Sequence, residues 1–204
     1  MSLEDFDRRQ LLTFLRAVDR NLESDAAVVV VGGAALSVAY GVEKRTSDID
    51  VIDLVRGSNA DLSNAVSKAR KETGLAVSVS PATVTVIPDR FEGRLRPARG
   101  LRLRRLKFIV PEKYDLALSK IAASMNRPHD LDAVLELHAK HRLSKRVLLA
   151  RFDEEMARVS VSDERQLALA FAVAVAELYG DEAGRQVAGA YGVPAPRLKA
   201  RPGK

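Results

Sequence analysis

The sequence predicts an α/β protein in which a mixed, strongly twisted sheet with packed helices is followed by a helical segment. Three observations predict it. Residues 28–53, VVVVGGAALSVAYGVEKRTSDIDVID, read as strand, Gly-Gly turn, short helix and second strand. Two later runs, 75–87 and 101–110, alternate apolar and polar residues with the period of extended chain. Beyond Pro111 the apolar spacing becomes helical. The resulting organisation is a core over 1–110, a helical segment over 111–193 and a basic, Pro-rich tail over 194–204, expected to be mobile.

Taken in order, residues 3–22 carry Phe6, Leu11, Phe14, Leu15, Val18 and Leu22 at helical spacing, which predicts an amphipathic helix on the core. Val28 opens an apolar strand that ends at Val31. Gly32 and Gly33 then let the backbone bend tightly and approach a ligand with no β-carbon in the way. The helix opening at Gly33 runs through Tyr40. On the second strand Asp48 and Asp50 are two apart and share a face, whereas Asp53 has the opposite parity. Residues 59–72 form the next helix, with Leu62, Ala65, Val66 and Ala69 as its buried stripe and Gly74 at its end. In 75–87 the alternation of valines and threonines breaks at Pro81. In 101–110 it slips at Arg104-Arg105, where a bulge would restore the phase. The Pro- and Gly-containing loop 88–100 between them is placed to overhang a site. Residues 112–125 put Tyr114, Leu118, Ile121 and Ala122 on one helix side, and Pro128 suits the first turn of a helix reaching Lys140. Ser144 and Ser162 are N-cap candidates for the last two helices. Residues 167–175 are apolar all round, which suits either the centre of the helical part or a homodimer contact.

Composition narrows the function classes. An apolar fraction of 47% with mixed charge describes a soluble globular protein. The absence of cysteine removes disulfides, thiolate catalysis and Cys-rich zinc sites. The polar N-terminus and the lack of any apolar run of ~20 residues predict a cytoplasmic protein with no membrane partner. The net charge of +6 is uneven: between Arg90 and Lys107 eight basic residues face one acid, Glu92, a block suited to phosphates of a nucleotide or nucleic acid. His129, His138 and His141 lack a third ligand at zinc-like spacing and read as surface histidines.

The chemistry concentrates at Gly32, Gly33, Asp48 and Asp50. A helix N-terminus with free N–H groups favours phosphate. Two carboxylates on one face repel each other unless a cation lies between them, and hard oxygen donors suit Mg²⁺. Together these are the apparatus of phosphoryl or nucleotidyl transfer.

The pattern Gly32-Gly33-x-Ala35-Leu36, then Tyr40-Gly41 and Arg45-x-x-Asp48-Ile49-Asp50, resembles the nucleotidyltransferase superfamily that includes DNA polymerase β. More narrowly it is similar to the bacterial AbiEii-like group of abortive-infection and toxin–antitoxin nucleotidyltransferases. The likeness extends through Pro111-Glu112-x-x-Asp115-Leu116-x-x-x-Lys120-x-x-Ala123 to Arg127-x-x-Asp130, covering roughly residues 28–140.

The resemblance implies a polymerase-β-like core with the helical segment closing one side of a cleft. It implies a nucleoside triphosphate substrate and Mg²⁺ or Mn²⁺ held by Asp48 and Asp50. Gly32, Gly33 and Arg45 would bind the nucleotide, Lys120 would contact the triphosphate, and Asp130 would orient the basic groups or help hold metal. The activity implied is transfer of a nucleoside monophosphate to tRNA or another RNA, to protein or to a small molecule. RNA would lie along residues 90–107, and toxin-type relatives add a cognate antitoxin as a partner. Two departures stand out. Many superfamily members carry serine where this chain has Gly33. The third carboxylate usually supplied by a neighbouring strand has no counterpart between Asp53 and Glu112, Thr85 standing near its place. The chain is therefore read as a transferase in which Asp130 completes the site, or as a degenerate relative that binds nucleotide or nucleic acid.

Overall fold

The computed structural model describes residues 5–43, 46–82, 86–156 and 164–196. It is a mixed α/β protein whose chain divides into two compact units, Met1–Val84 with Arg90–Leu116, and Thr85–Asp89 with Ala117–Lys204.

The first unit is built on a five-stranded sheet. Its elements are α1 (Arg8–Asn21), β1 (Ala26–Val31), α2 (Gly32–Tyr40), β2 (Asp48–Arg56), α3 (Asn59–Thr73), β3 (Ser78–Pro81), β4 (Arg96–Pro97) and β5 (Leu106–Val110). The strand order is β3-β2-β1-β5-β4. The central strand β1 is buried along its whole length, as its run of valines demands. It pairs antiparallel with β2 and parallel with β5, while β2 pairs parallel with β3 and β4 antiparallel with β5.

The predicted first helix begins later than its apolar spacing indicated. Asp7 caps α1 in a reciprocal capping box with Gln10, so Phe6 lies outside the helix. Phe6 is instead buried in an isolated antiparallel bridge with Thr46. The bulge expected at Arg104-Arg105 is also corrected, because β5 starts only at Leu106. The buried Asp19 of α1 ends the extended run there. Its carboxylate accepts the backbone N–H groups of Arg104, Arg105 and Leu106 at 2.7–3.0 Å. Burial works against this charge, but the three backbone donors outweigh it and hold the Asp19 carboxyl below the usual range.

The bulges lie in β2. Val31 pairs with Asp50 and Val30 with Val51, but Val29 pairs with Asp53 and Val28 with Leu54, leaving Ile52 as an extra residue; a second slip leaves Val55 extra before Arg56. These two residues are the exposed large apolar side chains of the described residues. The first bulge overturns the parity expected for Asp53. Cross-strand partners share a face, and Val29 and Val31 are two apart, so Asp53 stands on the face of Asp50 and Asp48. Ile49, Val51 and Leu54 form the opposite, apolar face.

The second unit is helical. The helix α4 (Lys113–Ala123) leads into it, followed by α5 (Asp130–His141), α6 (Lys145–Arg151), a π-helical turn at Phe152–Met156, α7 (Glu164–Tyr179) and α8 (Asp181–Ala190). The sequence reading had no helix over 181–190. Gly180, at φ +98°, reverses the chain into α8. Gly184 then lies so close to α7 that a β-carbon would come within 2.4 Å of Ala176 Cβ. Phe171 of α7 stacks on Phe152 with ring centroids 3.7 Å apart. Ser144 occupies the N-cap position of α6. The proposed cap Ser162 and most of the tail, 197–204, lie outside the described residues.

Candidate active site

Gly32 and Gly33 are required by what approaches them. Gly32 has φ +69°, a left-handed conformation at the very start of α2. A β-carbon on it would stand 2.8 Å from Asp50 Oδ2. Gly33 is not left-handed, but a β-carbon there would meet Thr46 Oγ1 at 2.7 Å and Thr46 Cβ at 2.9 Å. The two missing side chains thus admit Asp50 and Thr46 to the first turn of α2. Where a serine at position 33 would project, this chain places the threonine of another segment.

Thr46 is held firmly. Its backbone exchanges both hydrogen bonds with Phe6, N–H to O at 2.8 and 3.1 Å. Its hydroxyl points to Asp48, 3.3 Å from Oδ1 and 3.4 Å from the main-chain oxygen. The sequence reading missed Thr46, although the step of two that joins Asp50 to Asp48 also reaches it.

Asp48 and Asp50 are half-buried and share one face of β2, as their spacing predicted. On the adjacent strand their register partners are Ser78 and Ser80, so β3 offers hydroxyls rather than a third carboxylate beside them. Among the described residues no group of three or more His, Asp or Glu is placed to hold a metal ion. The donor set is therefore a pair of carboxylates with hydroxyls beside it. That set fits Mg²⁺, which keeps several waters and binds through one or two carboxylates plus substrate phosphates. Arg45 and Thr85 lie outside the described residues.

At the far end of α2, Tyr40 donates its hydroxyl proton to Pro111 O at 3.0 Å. Burial, with Glu112 and Asp115 nearby, pushes this phenol up to about 12. The fully buried Asp115 takes a two-pronged ion pair from Arg94, Nε at 3.0 Å and a terminal nitrogen at 2.9 Å. Arg96 pairs with Glu112 at 3.3 Å. Tyr40, Glu112 and Asp115 of the sequence motif thus tie α2 and the 90–97 segment to the turn that follows β5 and to the first turn of α4.

These contacts divide the basic block. Arg94 and Arg96 are engaged by carboxylates, and Arg105 donates to Leu22 O. Arg99, Arg102, Arg104 and Lys107 are exposed; Arg104 lies close enough to Asp19 for its charge to help lower that carboxyl, and the other three make no ion pair among the described residues. These four are the cations of the block that face solvent without a carboxylate held at ion-pair distance.

Lys120 and Asp130 meet within the second unit, Nζ to Oδ1 at 2.8 Å, with both side chains largely buried. Arg127 Nε lies 3.0 Å from the other oxygen, Oδ2. Asp130 opens α5, where the helix dipole also favours its charge. His138, half-buried, is more than a surface residue: its Nδ1 accepts Leu143 N–H at 3.2 Å, and its ring meets Tyr179 edge-on at 5.3 Å.

The structure therefore brings Gly32, Gly33, Asp48 and Asp50 together in the first unit, with Thr46 added, and pairs Lys120 with Asp130 in the second. No helix of the described residues is long and apolar enough to cross a membrane. A family model described as a nucleotidyltransferase of unknown function (DUF6036) matches residues 9–178. Comparisons with curated proteins and with solved structures find no match.

Proposed function

The chain belongs to this nucleotidyltransferase family, and from that premise we propose that it is a divalent-metal-dependent transferase of nucleoside monophosphates, of the AbiEii-like, toxin-type kind. One observation carries the reading: the Asp50 carboxylate abuts Gly32 at the start of α2, with Asp48 on the same face. A phosphate-seeking helix terminus and an acid pair thereby adjoin.

Asp48 and Asp50 are the residues to hold Mg²⁺ or Mn²⁺, and the ion would neutralise the triphosphate as charge shifts to the leaving group. The N–H groups at the start of α2 hold the terminal phosphates, and the two glycines let those phosphates come close to the backbone. An acceptor hydroxyl attacks the α-phosphorus and releases its proton to water, the α–β bridging bond breaks, and pyrophosphate leaves. Arg45 and Lys120 are further candidates for phosphate contact, with Asp130 and Arg127 setting the Lys120 ammonium. An RNA acceptor, tRNA foremost, suits the exposed cations Arg99, Arg102, Arg104 and Lys107.

The register of Ser78 and Ser80 beside the acid pair favours a second reading, a non-catalytic member that binds nucleotide. One experiment separates the two. The protein is incubated with Mg²⁺, each of the four labelled nucleoside triphosphates and total tRNA, beside the Asp48→Ala/Asp50→Ala variant. Transfer that disappears in the variant establishes the transferase. Metal-dependent binding of a triphosphate without transfer to tRNA or protein supports the binding reading.

A further inference from the structure

The Thr46 hydroxyl stands at a place where a bound phosphate chain would find it. It lies against Gly33, at the second residue of α2, where it fills the space a β-carbon would need. Its backbone is fixed on both sides by Phe6, which is itself buried, so the side chain is presented at little further entropic cost. Its proton is poorly used. Both oxygens within reach belong to Asp48, at 3.3 and 3.4 Å, longer than the roughly 2.5–3.0 Å of a good O–H···O bond. The result is a half-buried, rigidly placed donor beside the start of α2 and beside Asp48.

We propose that Thr46 is a binding residue for the terminal phosphates of the triphosphate, its hydroxyl donating to a non-bridging phosphate oxygen at the first turn of α2. The inference rests on the nucleotidyltransferase reading of Asp48, Asp50 and the two glycines. It assigns the side-chain donor of that cradle to the segment leading into β2. A hydroxyl donating to a charged oxygen contributes enough that its loss weakens binding by about tenfold or more.

The test uses inorganic tripolyphosphate, which carries the phosphate chain without a base, and ATP, CTP, GTP and UTP. Binding to the full-length protein is measured by calorimetry with Mg²⁺ and again with EDTA. Thr46→Val removes the hydroxyl at constant shape, and Thr46→Ser keeps it. The expected result is wild-type affinity for Thr46→Ser and a loss of about tenfold or more for Thr46→Val, in Mg²⁺ and in EDTA alike, with melting temperatures unchanged.

Equal affinity of Thr46→Val and wild type overturns the inference, and leaves the wider reading standing if Asp48→Ala/Asp50→Ala weakens Mg²⁺-dependent binding. A loss confined to Mg²⁺ conditions also overturns it, since the hydroxyl would then act only through Asp48. An equal loss in Thr46→Ser overturns it as well, because methyl packing would be the cause. A wild-type protein that binds neither tripolyphosphate nor any of the four triphosphates overturns both the inference and the reading beneath it.

Discussion

Replacing Gly32 by alanine tests the link between backbone and chemistry most directly. At φ +69° a β-carbon costs about 1–2 kcal/mol, and the stiffer unfolded chain returns about half of that, for a net loss near 1 kcal/mol. The added methyl also stands 2.8 Å from Asp50 Oδ2, closer than such atoms approach in folded proteins, so the carboxylate must move. It is the end of a side chain and yields at little cost in stability, but the acid leaves its place at the helix start. Gly41 provides the control. Its φ is +67°, and nothing lies within 4 Å of the β-carbon it would gain. Urea denaturation is expected to give similar losses of about 1 kcal/mol for Gly32→Ala and Gly41→Ala. Mg²⁺-dependent triphosphate binding or transfer is expected to fall by at least about tenfold in Gly32→Ala alone, since displacements below 1 Å at reacting groups have effects of this order. In Asp50→Ala, adding Gly32→Ala should cause no further functional loss. Equal nucleotide behaviour of the two glycine variants would refute the reasoning, as would an unchanged stability in Gly32→Ala.

Three further outcomes are expected. Asp19 is held below the ordinary carboxylate range, so it stabilises the fold above about pH 4 and that contribution is lost as the pH falls through its depressed value. Asp19→Ala, which strands three backbone donors, should cost about 3 kcal/mol at pH 7 and flatten the acid limb of a stability–pH curve; a variant as acid-sensitive as wild type would contradict this. Lys120→Met should cost about 2 kcal/mol because Asp130 is buried, whereas Arg127→Ala, whose side chain is 60% exposed, should cost under about 1 kcal/mol; equal costs in thermal melts would deny Lys120 its leading share of the pair. Serine at Arg99, Arg102, Arg104 and Lys107 together should lower the slope of log RNA affinity against log salt by up to about 3, while Arg94→Ser should destabilise the fold by stranding Asp115; a salt slope that does not change removes these cations from the interface.

Local pattern carried much of this protein. The valines of β1 are apolar without alternation and become a central strand buried on both faces. The spacing of Asp48 and Asp50 placed both acids on one face before any partner strand was known, because side chains in a strand repeat every two residues. Gly74 ends α3 at φ +68°, as its position after the helical stripe indicated. These are properties of neighbours in the chain, and periodicity reports them.

Tertiary structure decided what depends on residues far apart. Asp53 joined the face of Asp50 only because β1 pairs with β2 in a register that leaves Ile52 over, and no alternation within 48–56 carries that information. The end of β5 was set by a carboxylate more than eighty residues away, on α1, which claims the N–H groups that a longer strand would have used. Phe6 looked like one more apolar helix position; the Asp7 capping box released it to pair with Thr46. Gly33 read as a residue that had lost a useful side chain. The fold shows why nothing larger fits there: a hydroxyl from another segment already occupies the space, and the requirement for glycine lies in that approach rather than in its own backbone angle.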